Sequence, residues 1–213
     1  MQYPMNMELA GRRCMVLGGG PVALRKAGTL LEAGAALRLM APKILPELEE
    51  LAEEGKLQWI RQPYEEGCLE GCFLLICATD DPMVNRRAAE EAKRLGILVN
   101  APAQPEISDF SVPASLRRGN LLLTVSTGNL SPALSRLLRQ QLEKEFPPAF
   151  GPWLERLHIL RQEVKEKLST SREREAFWRE ALDGRILEFV KAGQIGQAEV
   201  ELRHAIDGNR VKP

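Results

Sequence analysis

Two patterns of apolar residues alternate through the first half of the chain. Short, almost entirely apolar runs, such as Arg13–Leu17, are typical of strands buried on both faces of a sheet. The stretches between these runs repeat their apolar residues every three or four positions, as amphipathic helices do. The alternation predicts strands at residues 13–17, 36–41, 57–60, 73–78 and 97–99, and helices at residues 21–33, 45–53 and 83–95.

This order of elements predicts an α/β fold of the Rossmann type, with a doubly wound parallel sheet. The pattern changes at residues 100–113, which are rich in proline, have no regular period and predict a loop near the strand ends. A strand at residues 121–126 and a helix beginning at Ser131-Pro132 follow, and only helical patterns remain after Pro147-Pro148. We therefore divide the chain into a Rossmann domain (1–113), a strand-plus-helix region (114–147) and an all-helical C-terminal module (148–213).

Composition narrows the class of protein further. The 213 residues carry 29 Lys and Arg against 29 Asp and Glu, and this zero net charge argues against a nucleic-acid-binding protein. No apolar run approaches the roughly 18–20 residues of a membrane span, and the N-terminal residues do not resemble a signal peptide. The four cysteines, remote from both histidines, predict reduced thiols rather than disulfides or a metal site, as expected of a cytoplasmic protein.

A glycine-rich turn lies between the first predicted strand and the first predicted helix. Residues 18–23 fit the pattern G-x-G-x-x-A, in which Gly18 permits the tight turn and Gly20 has no Cβ to block a pyrophosphate. Ala23 lets the helix pack closely, and the helix N-terminus offers unpaired N–H groups to an anion. The strand–turn–helix context predicts a dinucleotide site, with a purely structural turn as the alternative. The predicted cofactor contacts here are Gly18, Gly20, Pro21, Val22 and Ala23.

The end of the second predicted strand lacks the acidic residue that normally holds the adenosine ribose. The sequence there is Ala41-Pro42-Lys43, and we expect backbone groups of these three residues to contact the ribose. The choice between NAD and NADP is therefore open, with Lys43 either near a phosphate or simply solvated. Thr79 and Asp80 follow a buried strand at the sheet edge where ligands bind, and both are predicted to contact the cofactor.

Several further segments match one family in order and at the right intervals. Together they resemble the siroheme synthase family, which comprises precorrin-2 dehydrogenases, some of which are also sirohydrochlorin ferrochelatases. The matching segments are GGGPVALRK at residues 18–26, ATDDPMVN at 78–85, Val99-Asn100, Asp109-Phe110 with Pro113, and STGNLSPAL at 126–134. The resemblance implies a homodimer with an N-terminal NAD-binding domain, a central dimerisation region (114–147) and a helical end. It also implies NAD-dependent oxidation of precorrin-2 to sirohydrochlorin and, in bifunctional members, insertion of Fe²⁺.

One position departs from the family pattern. Members of the family usually have a pattern resembling N-V-V-D-x-P here. This chain has Asn100 and Pro105 but has Ala103 at the position of the aspartate. That aspartate is the family's candidate for removing a proton and assisting metal insertion, and alanine can do neither. Asp109, six residues further along the same loop, is the predicted replacement, with loop capping as its alternative role. A weakly catalytic or non-catalytic relative that binds a tetrapyrrole or NAD is the alternative function.

The middle of the chain carries the residues predicted to bind the substrate. Precorrin-2 is a polycarboxylate, for which hydroxyl-rich turns and arginine side chains are suitable partners. Arg117 is expected just before the strand at 121–126, and Arg136 on the helix that follows it. The predicted substrate contacts are Ser126, Thr127, Gly128, Ser131, Arg117 and Arg136. The predicted function is NAD-dependent dehydrogenation of precorrin-2, with no nucleic acid, membrane or resident metal involved.

Overall fold

The computed structural model describes residues 2–208, which divide between Val112 and Pro113 into two compact units. The first unit contains a five-stranded parallel sheet in the order β3-β2-β1-β4-β5. Its strands are β1 (Arg13–Leu17), β2 (Ala36–Met40), β3 (Gln58–Ile60), β4 (Leu74–Cys77) and β5 (Leu98–Asn100), and its helices are α1 (Pro21–Glu32), α2 (Pro46–Glu53) and α3 (Pro82–Arg94). The order reverses between β1 and β4, as in a Rossmann fold, so the predicted α/β class is confirmed.

The apolar runs form strands because both faces of the central sheet are covered. Val16 and Leu39 are fully buried in one cluster with Ala23 and Ala27 of α1. Met15 belongs to a second cluster, together with Ala88 and other residues of α3. Because successive strand residues point to opposite faces, the unbroken apolar sequences of β1 and β4 supply both clusters at once.

A buried carboxylate ties the segment before β4 to α3. Glu91 on α3 is 3% exposed and accepts hydrogen bonds from the Tyr64 hydroxyl and from the Gly67 N–H, at 3.0 Å for the latter. The pKa of Tyr64 is raised, mainly because the hydroxyl is buried and secondly because it donates its hydrogen bond to Glu91. The network satisfies a charged group that would otherwise be costly inside the protein.

The second unit begins with a two-stranded antiparallel sheet made by β6 (Ala114–Arg118) and β7 (Leu121–Val125). Five helices follow: α4 (Pro132–Glu145), α5 (Phe150–Lys167), α6 (Ser171–Ala181), α7 (Gly184–Lys191) and α8 (Ile195–Gly208). Trp153, Leu160, Val190 and Leu202 form the centre of its apolar core. The described residues from Pro113 onwards form one compact unit, so the separate regions 114–147 and 148–213 stay a sequence-based prediction.

Among the described residues, one strand was not predicted. Residues 114–118 form strand β6, and Arg117 therefore lies within a strand rather than before one. Only Leu116 of this strand is buried, so its sequence has no run of apolar residues to indicate it. Among residues 2–208, no helix is both long and apolar enough to span a membrane.

Candidate dinucleotide site

The glycine turn, residues Gly18–Gly20, lies where the strand order reverses. Gly18 has a φ of +113°, and a Cβ built on it would lie 2.3 Å from the carbonyl oxygen of Ala78, just beyond β4. A Cβ on Gly19 would lie 2.1 Å from the carbonyl oxygen of Lys43. Side chains are thus excluded at both positions because the turn packs directly against two neighbouring backbones.

Gly20 differs from the two glycines before it. A Cβ on Gly20 would have no neighbour within 4 Å, and its φ of −90° is open to any residue. It precedes α1, which has Pro21 in its first turn, no side-chain cap and no acidic residue there. The first turn of the helix thus has no side-chain cap for its N–H groups, and the space beside Gly20 is open, a combination that suits an anionic pyrophosphate.

The end of β2 lies beside the glycine turn. Gly18 N–H donates to the Met40 carbonyl at 3.0 Å, and Leu45 N–H donates to the Gly19 carbonyl at 3.0 Å. Ala41 is buried, with its N–H bound to the Ile60 carbonyl and its own carbonyl accepting from the Trp59 indole. Pro42 and Lys43 are exposed. The ribose contacts predicted for residues 41–43 thus fall at the expected sheet edge and stay a prediction.

The turn after β4 is organised by Asn85. The Thr79 hydroxyl lies 2.7 Å from Asn85 Oδ1, which also accepts the Thr79 N–H, while Asn85 Nδ2 donates to the Thr79 carbonyl at 3.0 Å. Asp81 caps α3, because its Oδ1 accepts the Met83 N–H at 2.8 Å. Asp80 is exposed at the same sheet edge. The structure therefore places the Thr79 backbone beside the glycine turn, and cofactor contact by Thr79 and Asp80 stays a prediction.

The proline loop, residues 101–113, follows β5 and is held by side chains. Asp109 Oδ2 accepts the Val99 N–H at 2.9 Å, and the Asp109 N–H donates to the Val99 carbonyl. The Ser108 hydroxyl accepts the Ala101 N–H at 2.8 Å. Ala103 is exposed in this loop. The capping role considered for Asp109 is thus present, and its role as a base stays a prediction.

The residues predicted to bind substrate lie in the second unit. The Thr127 hydroxyl lies 3.1 Å from the Ser135 hydroxyl and accepts the Ser131 N–H, while Ser131 Oγ caps α4 by accepting the Leu134 N–H. Gly128 has a φ of +62°, and its N–H donates to Ser126 Oγ. Arg117 on β6 and Arg136 on α4 are both exposed. Substrate binding by this hydroxyl-rich turn and the two arginines stays a prediction.

Comparison with known proteins agrees with this geometry. Residues 5–114 match the family model described as "Putative NAD(P)-binding", and residues 149–206 match the "Sirohaem synthase dimerisation region". The chain belongs to the siroheme synthase family. It is 37% identical over 212 residues to the siroheme synthase of Nitrosococcus oceani and 39% identical over 209 residues to that of Azotobacter vinelandii. These alignments cover 99% and 98% of this chain but 45% of each relative, so the chain spans less than half of their length.

A solved precorrin-2 dehydrogenase has the same fold. Its structure aligns with a TM-score of 0.75 at 26% identity, covering 97% of this chain and 100% of its own. The family resemblance found in the sequence is confirmed. The model of the family's dimerisation region falls on α5 to α8, whereas the sequence analysis assigned dimerisation to residues 114–147, which stays a prediction.

Sequence reasoning overlooked Asn100. No ligand contact was predicted for this residue from the family motifs that contain it, although it ends a buried strand at the same sheet edge as Thr79. A polar residue closing an apolar strand was the signal that could have indicated it. Its unusual hydrogen bonding became visible only in the folded structure.

Proposed function

We propose that this protein catalyses the NAD-dependent dehydrogenation of precorrin-2 to sirohydrochlorin. In this reaction bound NAD⁺ would accept a hydride from the macrocycle, which would also release one proton, so two hydrogens would leave the substrate. The observation that carries the proposal is the precorrin-2 dehydrogenase structure, whose entire chain aligns with nearly all of this one. The bound cofactor supplies the redox chemistry, and the protein supplies binding and orientation.

The first unit fits a dinucleotide on physical grounds. Gly20 leaves room for the pyrophosphate, and the N–H groups of the uncapped first turn of α1 face it. We assign the adenosine ribose to Ala41–Lys43 and the nicotinamide half to the edge formed by Thr79 and Asp80. With no acidic residue at Ala41–Lys43, the preference for NAD over NADP rests on the family resemblance.

Release of the proton needs a different solution from the family's aspartate. Ala103 offers no acceptor, and the nearest carboxylate in the loop is Asp109. Its Oδ2 is bound to the Val99 N–H, and we propose that its other oxygen takes the proton. The carboxylates of the substrate are assigned to the second unit, at the turn 126–131 and the exposed Arg117 and Arg136. Assembly as a homodimer is proposed from the dimerisation region at residues 149–206.

The experiment mixes the protein with precorrin-2 and NAD⁺ and follows NADH absorbance. We expect NADH to form faster than in a protein-free control, and more slowly with NADP⁺ in place of NAD⁺. A rate equal to the protein-free control with both cofactors would overturn the proposal.

A non-catalytic, ligand-binding relative is the second candidate, favoured by Ala103. The variant Ala103→Asp separates the two functions, because Ala103 is exposed and a carboxylate fits there without burial cost. If Asp109 already serves the reaction, Ala103→Asp changes the rate less than about threefold. A gain of 100-fold or more, within the range that one general base contributes, would instead indicate a chain that has lost its catalytic group. Ferrochelatase activity, which the same aspartate supports in the family, is then expected to reappear in this variant.

A further inference from the structure

Asn100 holds a buried hydrogen-bond acceptor that has no partner. The residue ends β5 and is 5% exposed. Its Nδ2 donates to the Phe110 carbonyl at 2.9 Å, whereas its Oδ1 has no hydrogen-bond partner among the described residues. The orientation of the amide is fixed because a carbonyl oxygen can accept but not donate, so only the nitrogen can face Phe110. The unpaired atom is therefore the oxygen.

Gln104 Oε1, in the loop that follows β5, is a second buried acceptor without a partner among the described residues, whereas the buried amide of Asn85 is fully bonded. Asn85 is 2% exposed, and its Oδ1 and Nδ2 both bind Thr79. Buried acceptors without a partner are rare in folded proteins because they lose their bond to water and gain none in return. An acceptor kept unpaired at a ligand-binding edge has a simple explanation, namely that the ligand supplies the donor.

The position of Asn100 in the sheet indicates which part of the ligand supplies this donor. Asn100 pairs in register with Ile76 of β4, and Ile76 pairs with Val16 of β1. Partners in neighbouring strands point to the same face, so Asn100 lies on the face that α1 covers. A dinucleotide centred on the glycine turn extends its adenosine towards β2, and therefore its nicotinamide towards β4 and β5. Asn100 lies at the nicotinamide end.

We propose that Asn100 Oδ1 accepts a hydrogen bond from an N–H group of the reacting ligands. Two groups have this chemistry: the carboxamide of the nicotinamide and a pyrrole N–H of the macrocycle. Asn100 thereby sets the orientation of the ring that gives or receives the hydride, and it binds rather than transfers protons. This inference rests on the proposed dehydrogenase function, and it adds a ligand contact that neither the glycine turn nor Asp109 provides.

The dinucleotide arm of the test uses 3-acetylpyridine adenine dinucleotide, in which a methyl ketone replaces the carboxamide and removes its N–H. If the carboxamide is the donor, the native protein binds NAD⁺ about tenfold more tightly than this analogue in calorimetric titrations. The variant Asn100→Leu, similar in size but apolar, binds the two dinucleotides equally. The native comparison needs no mutation, so it holds even if Asn100→Leu does not fold.

The macrocycle arm measures binding of sirohydrochlorin. If a pyrrole N–H is the donor, Asn100→Leu and the smaller Asn100→Ala lose about tenfold in sirohydrochlorin affinity and keep their NAD⁺ affinity. Glu91→Leu is the matched control, because Glu91 is 3% exposed and its oxygens bind Tyr64 and Gly67, to which no ligand contact is assigned. It is expected to lower stability and to retain the native preference between the two dinucleotides.

The inference would be overturned by two results together. The native protein would show no preference between NAD⁺ and its analogue, and the Asn100 variants would bind both dinucleotides and sirohydrochlorin as tightly as the native protein does. Equal loss of the preference in Glu91→Leu would do so as well, because it would indicate a general disturbance of the first unit. Failure of the proposed function is distinct, since the native protein would then bind no NAD⁺ or form no NADH.

Discussion

Two segments at the same edge of the sheet are held in place by different means. The glycine turn after β1 has no side chains, and its shape follows from backbones that approach too closely for a Cβ at Gly18 or Gly19. The proline loop after β5 is held by side chains instead, chiefly Ser108 and Asp109, which bind backbone groups of residues 99–101. The first segment is thus constrained by sterics and the second by hydrogen bonds.

The difference teaches where function can change within this family. A steric constraint admits few substitutions, and the glycine turn keeps its G-x-G-x-x-A pattern in full. A loop held at a few points can change elsewhere. Ala103, which is exposed between those points, is where the sequence departs from the pattern that the family resemblance implies. We therefore expect the fold to constrain the proposed cofactor site more tightly than the group proposed to take the proton.

The largest effect is expected from Gly18→Ala. The substitution combines a φ of +113° with a Cβ 2.3 Å from the Ala78 carbonyl oxygen, and should cost roughly 3–5 kcal/mol of unfolding free energy. Urea unfolding followed by circular dichroism measures this loss. A cost below about 1 kcal/mol would contradict the view that the turn is sterically constrained.

Gly20→Ala is the matched control within the same turn. With no atom within 4 Å of the new Cβ, its unfolding free energy should stay within about 0.5 kcal/mol of the native value. Its NAD⁺ affinity should fall about tenfold or more, because the methyl group enters the space assigned to the pyrophosphate. The two variants thus separate the structural glycine from the binding glycine.

An intermediate effect is expected from Asp109 in the proline loop. Asp109→Ala leaves the N–H of Val99, which is 1% exposed, without its acceptor, at a cost of about 1–3 kcal/mol of unfolding free energy. Asp109→Asn keeps an oxygen for that bond and should lose less than half as much. The same urea experiment measures both variants.

The Asp109→Asn variant also tests the proposed catalytic role of Asp109. An amide cannot take up a proton, so Asp109→Asn should reduce the rate of NADH formation at least 100-fold if Asp109 is the base. An unchanged rate in a stable Asp109→Asn protein would leave Asp109 as a structural cap only. The proton would then pass to solvent or to a carboxylate of the substrate.

The sequence was sufficient for the first unit because its strands are buried on both faces. All five strands and three α-helices of that unit were predicted, with bounds that differ by at most one residue from those observed. The packing of Gly18 against Ala78 brings together residues 60 positions apart, and the glycine motif alone indicates the turn but not its neighbour. Asn100 illustrates the same limit, since an unpaired oxygen is a property of its surroundings in the folded chain.

Strand β6 was missed for a local reason. Its sequence is Ala114–Arg118, its apolar face is a single buried leucine, and the periodicity on which the prediction relied is absent. The pair Gly119-Asn120, which connects β6 to β7 with a φ of +57° at Gly119, was a usable hairpin signal. Turn chemistry was more informative here than hydrophobic pattern.

The smallest expected effect is a loss of stability at high pH, which originates in two buried thiols on β1 and β4. Burial raises the pKa of Cys14 on β1 to about 11 and that of Cys77 on β4 to about 12, from an ordinary value of 9.0. The folded protein therefore holds both thiol protons more tightly than the unfolded chain does. The stability that these thiols contribute is complete below pH 9 and is lost as the pH rises from about 9 towards 11 and 12.

Cys77→Ala should accordingly lose less unfolding free energy between pH 8 and pH 11 than the native protein, in urea titrations at the two pH values. The thiol is gone, and with it the cost of keeping it neutral in a buried strand. Asp109→Ala is a suitable control, because it destabilises the proline loop after β5 and leaves both thiols in place. Its loss of unfolding free energy between pH 8 and pH 11 should therefore equal that of the native protein. If Cys77→Ala and Asp109→Ala lost equally, the alkaline sensitivity would not arise at the strands around the glycine turn.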